Sequence, residues 1–328
     1  MRLFSILGSV MFRSRRVKEA LAAFLYLLPA LVIIAAFRVV PILLSARMSL
    51  FDWGMAGPRE FIGLANYVAV LRDPAFWNSL LNTGWYVICE VPAAMILSLL
   101  AALLLNRTIA GLGIYRTLYY LPVVTSIVAV SVVWKWILHA DRGLLNYVLS
   151  WSGIADLRWL QDPRSILQLV LGESVDSLPA GLRGPSVALL SLVMVGVWKA
   201  IGYNAVIFLA GLQNIPRAYY EAARIDGAGR LRTFWRITLP LLSPTTYYVL
   251  IMSTIVAFET FAQVWIMTGP PAGGPLSTTR LIMYYFYENS FELWRLGYGA
   301  SVAFVAFVII LILTILQRVF FERRVHYG

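Results

Sequence analysis

Residues 214–240 read Asn-Ile-Pro-Arg-Ala-Tyr-Tyr-Glu-Ala-Ala-Arg-Ile-Asp-Gly-Ala-Gly-Arg-Leu-Arg-Thr-Phe-Trp-Arg-Ile-Thr-Leu-Pro, a polar, basic island between two long apolar runs. Glu221, Ala222, Ala223 and Arg224 favour helix. Asn214 is placed to cap that helix and Pro216 suits its first turn. Asp226-Gly227 supplies a stop, because glycine accepts the positive φ that closes a helix. A second helix is expected from about Arg230, where Leu231, Phe234, Ile237 and Leu241 recur at helical spacing between Arg230, Arg232 and Arg236. Pro240 ends it. The stretch therefore predicts two short helices around a glycine hinge. The first presents small side chains at Ala222 and Ala223, which a partner's groove can hold closely, and a fixed charge at Glu221.

Outward from this island the chain is built for lipid. Of its 328 residues 60% are apolar and 13% charged, against about 25% charged in ordinary soluble domains. Runs of about 20 apolar residues each cross a hydrocarbon core of roughly 30 Å. They predict six transmembrane helices at about 20–46, 80–105, 116–138, 186–212, 241–268 and 299–317. The fold class is all-α and polytopic. Residues 1–19 form an N-terminal tail, 20–318 a single transmembrane domain containing segment 214–240, and 319–328 a C-terminal tail. The first run follows Arg13, Arg15, Arg16 and Lys18 but is too long for a signal peptide and shows no small-residue cleavage site, so it is expected to be retained.

Six spans bring both termini to one side. The three opposite loops (51–79, 139–185 and 269–298), counted with Arg47 and Lys135 just outside them, carry ten acidic and ten basic residues. Arg38, Lys199, Glu90 and Glu259, inside spans, also cancel. The whole net charge of +11 thus lies on the side of the termini, which the positive-inside rule assigns to the cytoplasm. The basic balance reports topology and anionic membrane lipid, not nucleic acid. The 11 Trp and 17 Tyr suit two lipid–water interfaces. A single Cys89 excludes an internal disulfide, and two histidines, His139 and His326, give no metal cluster. In the opposite loops, an amphipathic stretch runs around Tyr67–Trp77, a short surface helix is expected at Ile166–Leu171, and Gly269-Pro270-Pro271 is a turn signal.

Glu221-Ala222-Ala223, Gly227 and Ile237-Thr238-Leu239-Pro240 resemble the EAA motif of ABC-importer permeases. The flanks Leu212–Pro216, Asp226–Gly229 and Leu241–Pro244 extend the likeness to its carbohydrate branch, the relatives of the maltose, lactose and glycerol-3-phosphate permeases. Tyr119–Pro122, with Pro122 read as a kink, Trp198–Asn204, Thr268–Pro270 and Val325–Tyr327 are similar to that branch as well. Loop 139–185 is longer than the family suggests. The resemblance implies a type I ABC importer permease fold in a bacterial or archaeal cytoplasmic membrane. It implies that Glu221, Ala222, Ala223, Asp226, Gly227, Ile237, Leu239 and Pro240 dock in a cleft of an ATP-binding subunit dimer. It further implies a second homologous permease subunit and an extracytoplasmic solute-binding protein. The only lysines are Lys18, Lys135 and Lys199 and none follows a glycine, so no Walker phosphate cradle can form. The chain is expected not to be an enzyme and to hold no cofactor, with ATP and Mg bound by the partner ATPase.

Polar residues inside spans are costly and mark pathways. Lys199, Tyr203 and Asn204 share a face in span four, as Glu259, Thr260 and Gln263 do in span five, and both spans flank segment 214–240. With Trp198 and Phe258 to cover an apolar sugar face, these residues are expected to line the path of a sugar or oligosaccharide. By resemblance they align with the sugar-contacting stretches of the maltose permease. Two other readings stay open: Lys199 and Glu259 as a buried ion pair fixing helix register, and Asn204 and Gln263 as interhelical hydrogen bonds. Glu90, near Pro92, reads as part of a kink with a local partner. Import of glycerol-3-phosphate or another polyol derivative is the nearest functional alternative. An ion-coupled carrier relaying protons through Glu90, Lys199 and Glu259 is more remote. No nucleophile–base pair is legible, so no catalytic residue and no metal site is expected.

Overall fold

The computed structural model describes residues 2–106, 112–153, 157–269 and 273–322. Pro270-Pro271, Val325-His326-Tyr327 and most of the loop after residue 106 lie outside the described residues. Four helices are long and apolar enough to cross a membrane: Val17–Ser49, Pro74–Leu105, Val187–Gln213 and Leu296–Phe321. Two bent pairs raise the number to as many as six.

The first span joins α1 (Arg2–Ile34) to α2 (Val40–Ser49) through a wide π turn at Ala35–Val39 that carries Arg38. Two strands follow, β1 (Phe51–Gly54) and β2 (Gly57–Phe61), paired antiparallel with Phe51 opposite Phe61. This hairpin departs from the all-α expectation. Its residues alternate too briefly for the period-two pattern to stand out in sequence. Asn66 Nδ2, on α3 (Ala65–Arg72), donates to the Ser49 and Phe51 carbonyls at 2.9 and 3.0 Å and fixes the hairpin on the end of α2.

Span two, α4 (Pro74–Leu105), begins six residues before its predicted start because Asp73 caps it, accepting from the Ala75 N–H at 2.8 Å, and Pro74 suits the first turn. Span three is not one helix. α5 (Leu112–Val124) and α6 (Ile127–Ile137) meet at 104°. The predicted kink at Pro122 lies inside α5, and the bend falls at Thr125-Ser126. Span four is α9 (Val187–Gln213), capped by Ser186, whose Oγ accepts from the Leu189 N–H at 3.0 Å. Between them lie α7 (Leu144–Ser150) and α8 (Ile166–Leu171). The latter is the helix expected there, held by a reciprocal capping box between Ser165 and Gln168.

Span five is also broken: α13 (Ser243–Phe258) stops at Glu259 and α14 (Ala262–Thr268) resumes after Phe261, whose φ of −132° and ψ of −62° are not helical. The loop after it holds an unexpected helix, α15 (Ile282–Tyr287), whose Ile282, Tyr284 and Tyr285 are buried. Span six is α16 (Leu296–Glu322).

Three apolar clusters hold these elements together. The central one sets Tyr86, Val91 and Ala94 of α4 against Leu189, Leu192 and Val193 of α9, with Val264 and Met267 of α14. One end of α9 packs Phe208, Leu209 and Leu212 on Ala102, Leu105 and Val249. The third joins Val70, Phe76, Phe258, Ile282, Tyr285 and Val302. Lipid tails are as apolar as leucine, so such clusters gain by close packing rather than by escape from water. Gly196 shows the closeness required: a Cβ there would collide with the Tyr86 hydroxyl and press on the Glu90 stem at 3.3 Å.

Candidate functional site: a membrane cavity and the segment beneath it

Segment 214–240 begins differently from its prediction. Asn214 closes α9 as its C-cap, and Pro216 itself is the N-cap of α10 (Arg217–Ile225). The glycine stop is as expected, with Gly227 at φ +69°. The Gly227 N–H donates to the Arg224 carbonyl at 3.1 Å and the Ala228 N–H to the Ala223 carbonyl at 2.8 Å. These two bonds form a Schellman motif. The second helix runs from α11 (Arg230–Thr233) through a π turn at Phe234–Thr238 to α12 (Leu239–Leu241), past Pro240, and meets α13 at 66°. Tyr220 and Thr238 hydroxyls, 3.2 Å apart, tie the two helices. Glu221, Ala222, Asp226 and Gly227 are exposed, whereas Ala223 is buried within the chain. Ile237, Leu239 and Pro240 are half-buried. Ile225, 86% exposed, and Leu231, 72% exposed, leave apolar side chains uncovered beside them.

Further along α9 from this segment, α4, the α5–α6 bend, α9 and the broken span five line a half-open cavity of about 520 Å³. It brings together Lys199, Tyr203 and Asn204 from α9 with Glu259 and Thr260 from the break and Gln263 from the first turn of α14. The uncoiled break turns two successive side chains, Glu259 and Thr260, toward the same space. Lys199 Nζ donates to the Thr125 carbonyl at 2.9 Å, and the ion pairs among the described residues do not join it to Glu259. Asn204 Nδ2 donates to Ser253 Oγ at 3.1 Å and Gln263 Nε2 to the Leu192 carbonyl at 2.6 Å, so both also bridge helices. Trp198 and Phe258 do not line the cavity. Trp198 stands edge-on to Trp134, and Phe258 is buried in the third apolar cluster.

Among the lining residues not placed on the saccharide path in the sequence are Tyr86 and Glu90 of α4, the latter named only in the proton-relay alternative. Glu90 is only 6% exposed, and its Oε2 is buried without a hydrogen-bond partner. No local partner for that oxygen accompanies Pro92. The signal available in the sequence was a carboxylate inside a span, one of the few charges found there.

On the opposite side, Asp73 Oδ2 accepts from the Tyr285 hydroxyl at 2.5 Å and the Tyr298 hydroxyl at 3.1 Å, clamping α4 to α15 and α16. Burial pushes the Asp73 carboxyl up, but the hydrogen bonds from Tyr285, the Ala75 N–H and Tyr298 outweigh it and leave it below the usual carboxylate range.

A largely apolar chamber carrying a few polar and charged side chains inside bent spans, continuous through both flanking helices with an exposed helical pair, fits a membrane transport component. Over residues 3–326 the sequence matches the binding-protein-dependent transport system inner membrane components, and the chain belongs to that family. It is 34% identical over 313 residues to a probable ABC transporter permease protein, YesP, of Bacillus subtilis, covering 94% of this chain and 93% of that one. It is 36% identical over 270 residues to the sn-glycerol-3-phosphate transport system permease protein UgpA of Agrobacterium fabrum (82% and 83% covered). To the trehalose/maltose transport system permease protein MalF of Thermococcus litoralis it is 31% identical over 299 residues (91% and 92% covered). A crystal structure of a bacterial ABC transporter involved in the import of the acidic polysaccharide alginate has a chain of the same fold, with a TM-score of 0.76 at 22% identity over 94% of this chain and 98% of that one. The chain is thus a multi-pass membrane permease of the ABC-importer type.

Proposed function

We propose that the chain is the membrane-spanning subunit of an ATP-driven, binding-protein-dependent importer for a sugar or oligosaccharide. One observation carries the reading: the cavity and the exposed helical pair share their walls. α9 runs from the cavity straight into α10, and α11 and α12 lead directly back through α13 to Glu259. A push on α10 from an ATPase dimer, which binds ATP and Mg, would be felt on both faces of the chamber. Glu221, Ala222, Asp226 and Gly227 offer the docking face, with Ile237, Leu239 and Pro240 as the strut behind it. Tyr203, Asn204, Thr260, Gln263, Lys199 and Glu259 offer a saccharide its hydrogen-bond partners. A second homologous permease completes the pathway, and an extracytoplasmic solute-binding protein delivers to the opposite loops. Both termini lie in the cytoplasm.

The trehalose/maltose and sn-glycerol-3-phosphate permeases among the relatives support a polyhydroxylated solute. Reconstitution of the full complex in proteoliposomes tests the coupling. Gly227 and Glu221 substitutions should reduce uptake and substrate-stimulated ATP hydrolysis together. If both survive intact, the segment is not the coupling element.

A further inference from the structure

Glu90 is the one buried charged group of the chamber whose position the packing does not explain. Its stem passes over Gly196, where a Cβ would meet Glu90 Cγ at 3.3 Å, so the α4–α9 crossing keeps room for it. Glu90 lines the chamber at only 6% exposure, and its Oε2 is buried beside it without a partner. A buried carboxylate oxygen without a donor costs stability and calls for an explanation. The other charges lining the chamber are Glu259 and Lys199, and no arginine lines it among the described residues. Lys199 already donates to Thr125 at the C-terminal end of α5, where the helix dipole takes part of its charge. The chamber therefore offers two carboxyl groups, Glu90 and Glu259, against one amine that is already engaged.

We infer that Glu90 is a substrate-contacting, specificity-determining residue: it accepts hydrogen bonds from the hydroxyls of a neutral saccharide and, with Glu259, excludes phosphorylated, sulfonated and uronate solutes. This rests on the carbohydrate reading above and narrows it. A hydroxyl brings the donor that Oε2 lacks. A phosphate or carboxylate brings only acceptors and like charge, with a single amine to meet them.

The test uses the complete complex, with partner permease, ATPase dimer and binding protein, in proteoliposomes. Uptake and stimulated ATP hydrolysis are measured with maltose, trehalose and raffinose against glycerol-3-phosphate and digalacturonate. The expected result is transport of at least one neutral saccharide and of neither anion. Glu90→Ala should lower neutral uptake about tenfold or more, while Glu90→Gln, which keeps an acceptor oxygen, loses about threefold or less. Thermal unfolding midpoints of both variants should equal or exceed the parent's, since the carboxylate makes no bond for the fold to lose. Anion uptake rivalling neutral uptake overturns the inference and leaves the importer reading standing. So does a fall in midpoint that parallels the loss of uptake, which marks a structural role. Failure of every saccharide, neutral or acidic, overturns the carbohydrate reading and this inference with it.

Discussion

Lys199 Nζ donates to the Thr125 carbonyl across 2.9 Å, joining the middle of span four to the bend in span three. Thr125 follows the last residue of α5, where helix carbonyls lack partners and a cation is favoured. Lys199→Met removes that cap and should destabilise the permease by about 1.5–3 kcal/mol, the range for a hydrogen bond to a charged group. Lys199→Arg, which keeps a cationic donor, should recover much of the loss. Thermal unfolding in detergent measures both. Equal midpoints for the parent and the Met variant would remove the capping role.

Gly196 and Tyr86 share one space, since a Cβ at residue 196 would collide with the Tyr86 hydroxyl. Gly196→Ala should therefore cost about 1–3 kcal/mol, as overpacking does. Adding Tyr86→Phe, which deletes the obstructing oxygen, should restore part of that stability. A double-mutant cycle on unfolding midpoints reads the coupling, and strict additivity would count against the contact.

Gly227 holds φ +69°, and a Cβ there would meet nothing within 4 Å, so backbone conformation alone sets the cost of a side chain. Gly227→Ala should cost about 1–2 kcal/mol locally by forcing an L-residue into the left-handed region. Gly227→Asn, better tolerated there, should behave closer to the parent. The loss should appear in the ratio of transported solute to ATP hydrolysed more than in the unfolding midpoint.

The Asp73 clamp gives a pH dependence. A carboxyl whose folded pKa lies below the unfolded value adds stability above about pH 3.9, the unfolded value, and loses it as pH falls through the folded pKa. Tyr285→Phe removes the 2.5 Å bond and should cost about 1.5–3 kcal/mol near neutrality. Its penalty should shrink as pH falls from about 4 through the lowered folded pKa, where the parent's carboxyl finally protonates. An unchanged penalty at acid pH would show that the charge on Asp73 does not matter.

The straight spans were legible in the sequence because about twenty apolar residues in lipid leave the chain little choice but helix. The bends were not. Pro122 marked the right neighbourhood, yet the turn falls at Thr125-Ser126, where Lys199 from another helix satisfies the freed carbonyl. The break at Glu259–Phe261 likewise interrupts a run that reads as one span. Such choices depend on partners distant in sequence. α15 escaped notice because Ile-Met-Tyr-Tyr-Phe-Tyr is short and aromatic and carries no helical period of its own.

For the chamber, the polar residues of spans four and five were visible as exceptions in apolar runs, and six of them do converge. Trp198 and Phe258 were chosen for chemistry, but helix rotation turns them elsewhere. Glu90 was visible as a charge and was grouped with Lys199 and Glu259 only in the proton-relay alternative; it lies on a span that does not adjoin segment 214–240, so the order of the chain did not place it on the saccharide path. Only the crossing of α4 over Gly196 does that.

The bonds that close α10 at Gly227 and Ala228 are all backbone bonds within the segment itself. A helix finished in this way keeps its shape whether or not anything lies against it. Association with a partner then spends little on immobilising loose chain, a cost that weakens the binding of segments which fold only on contact. The element is preorganised: what a partner meets is a rigid knob, and a displacement imposed on it passes on as rigid-body motion instead of dissipating in local refolding.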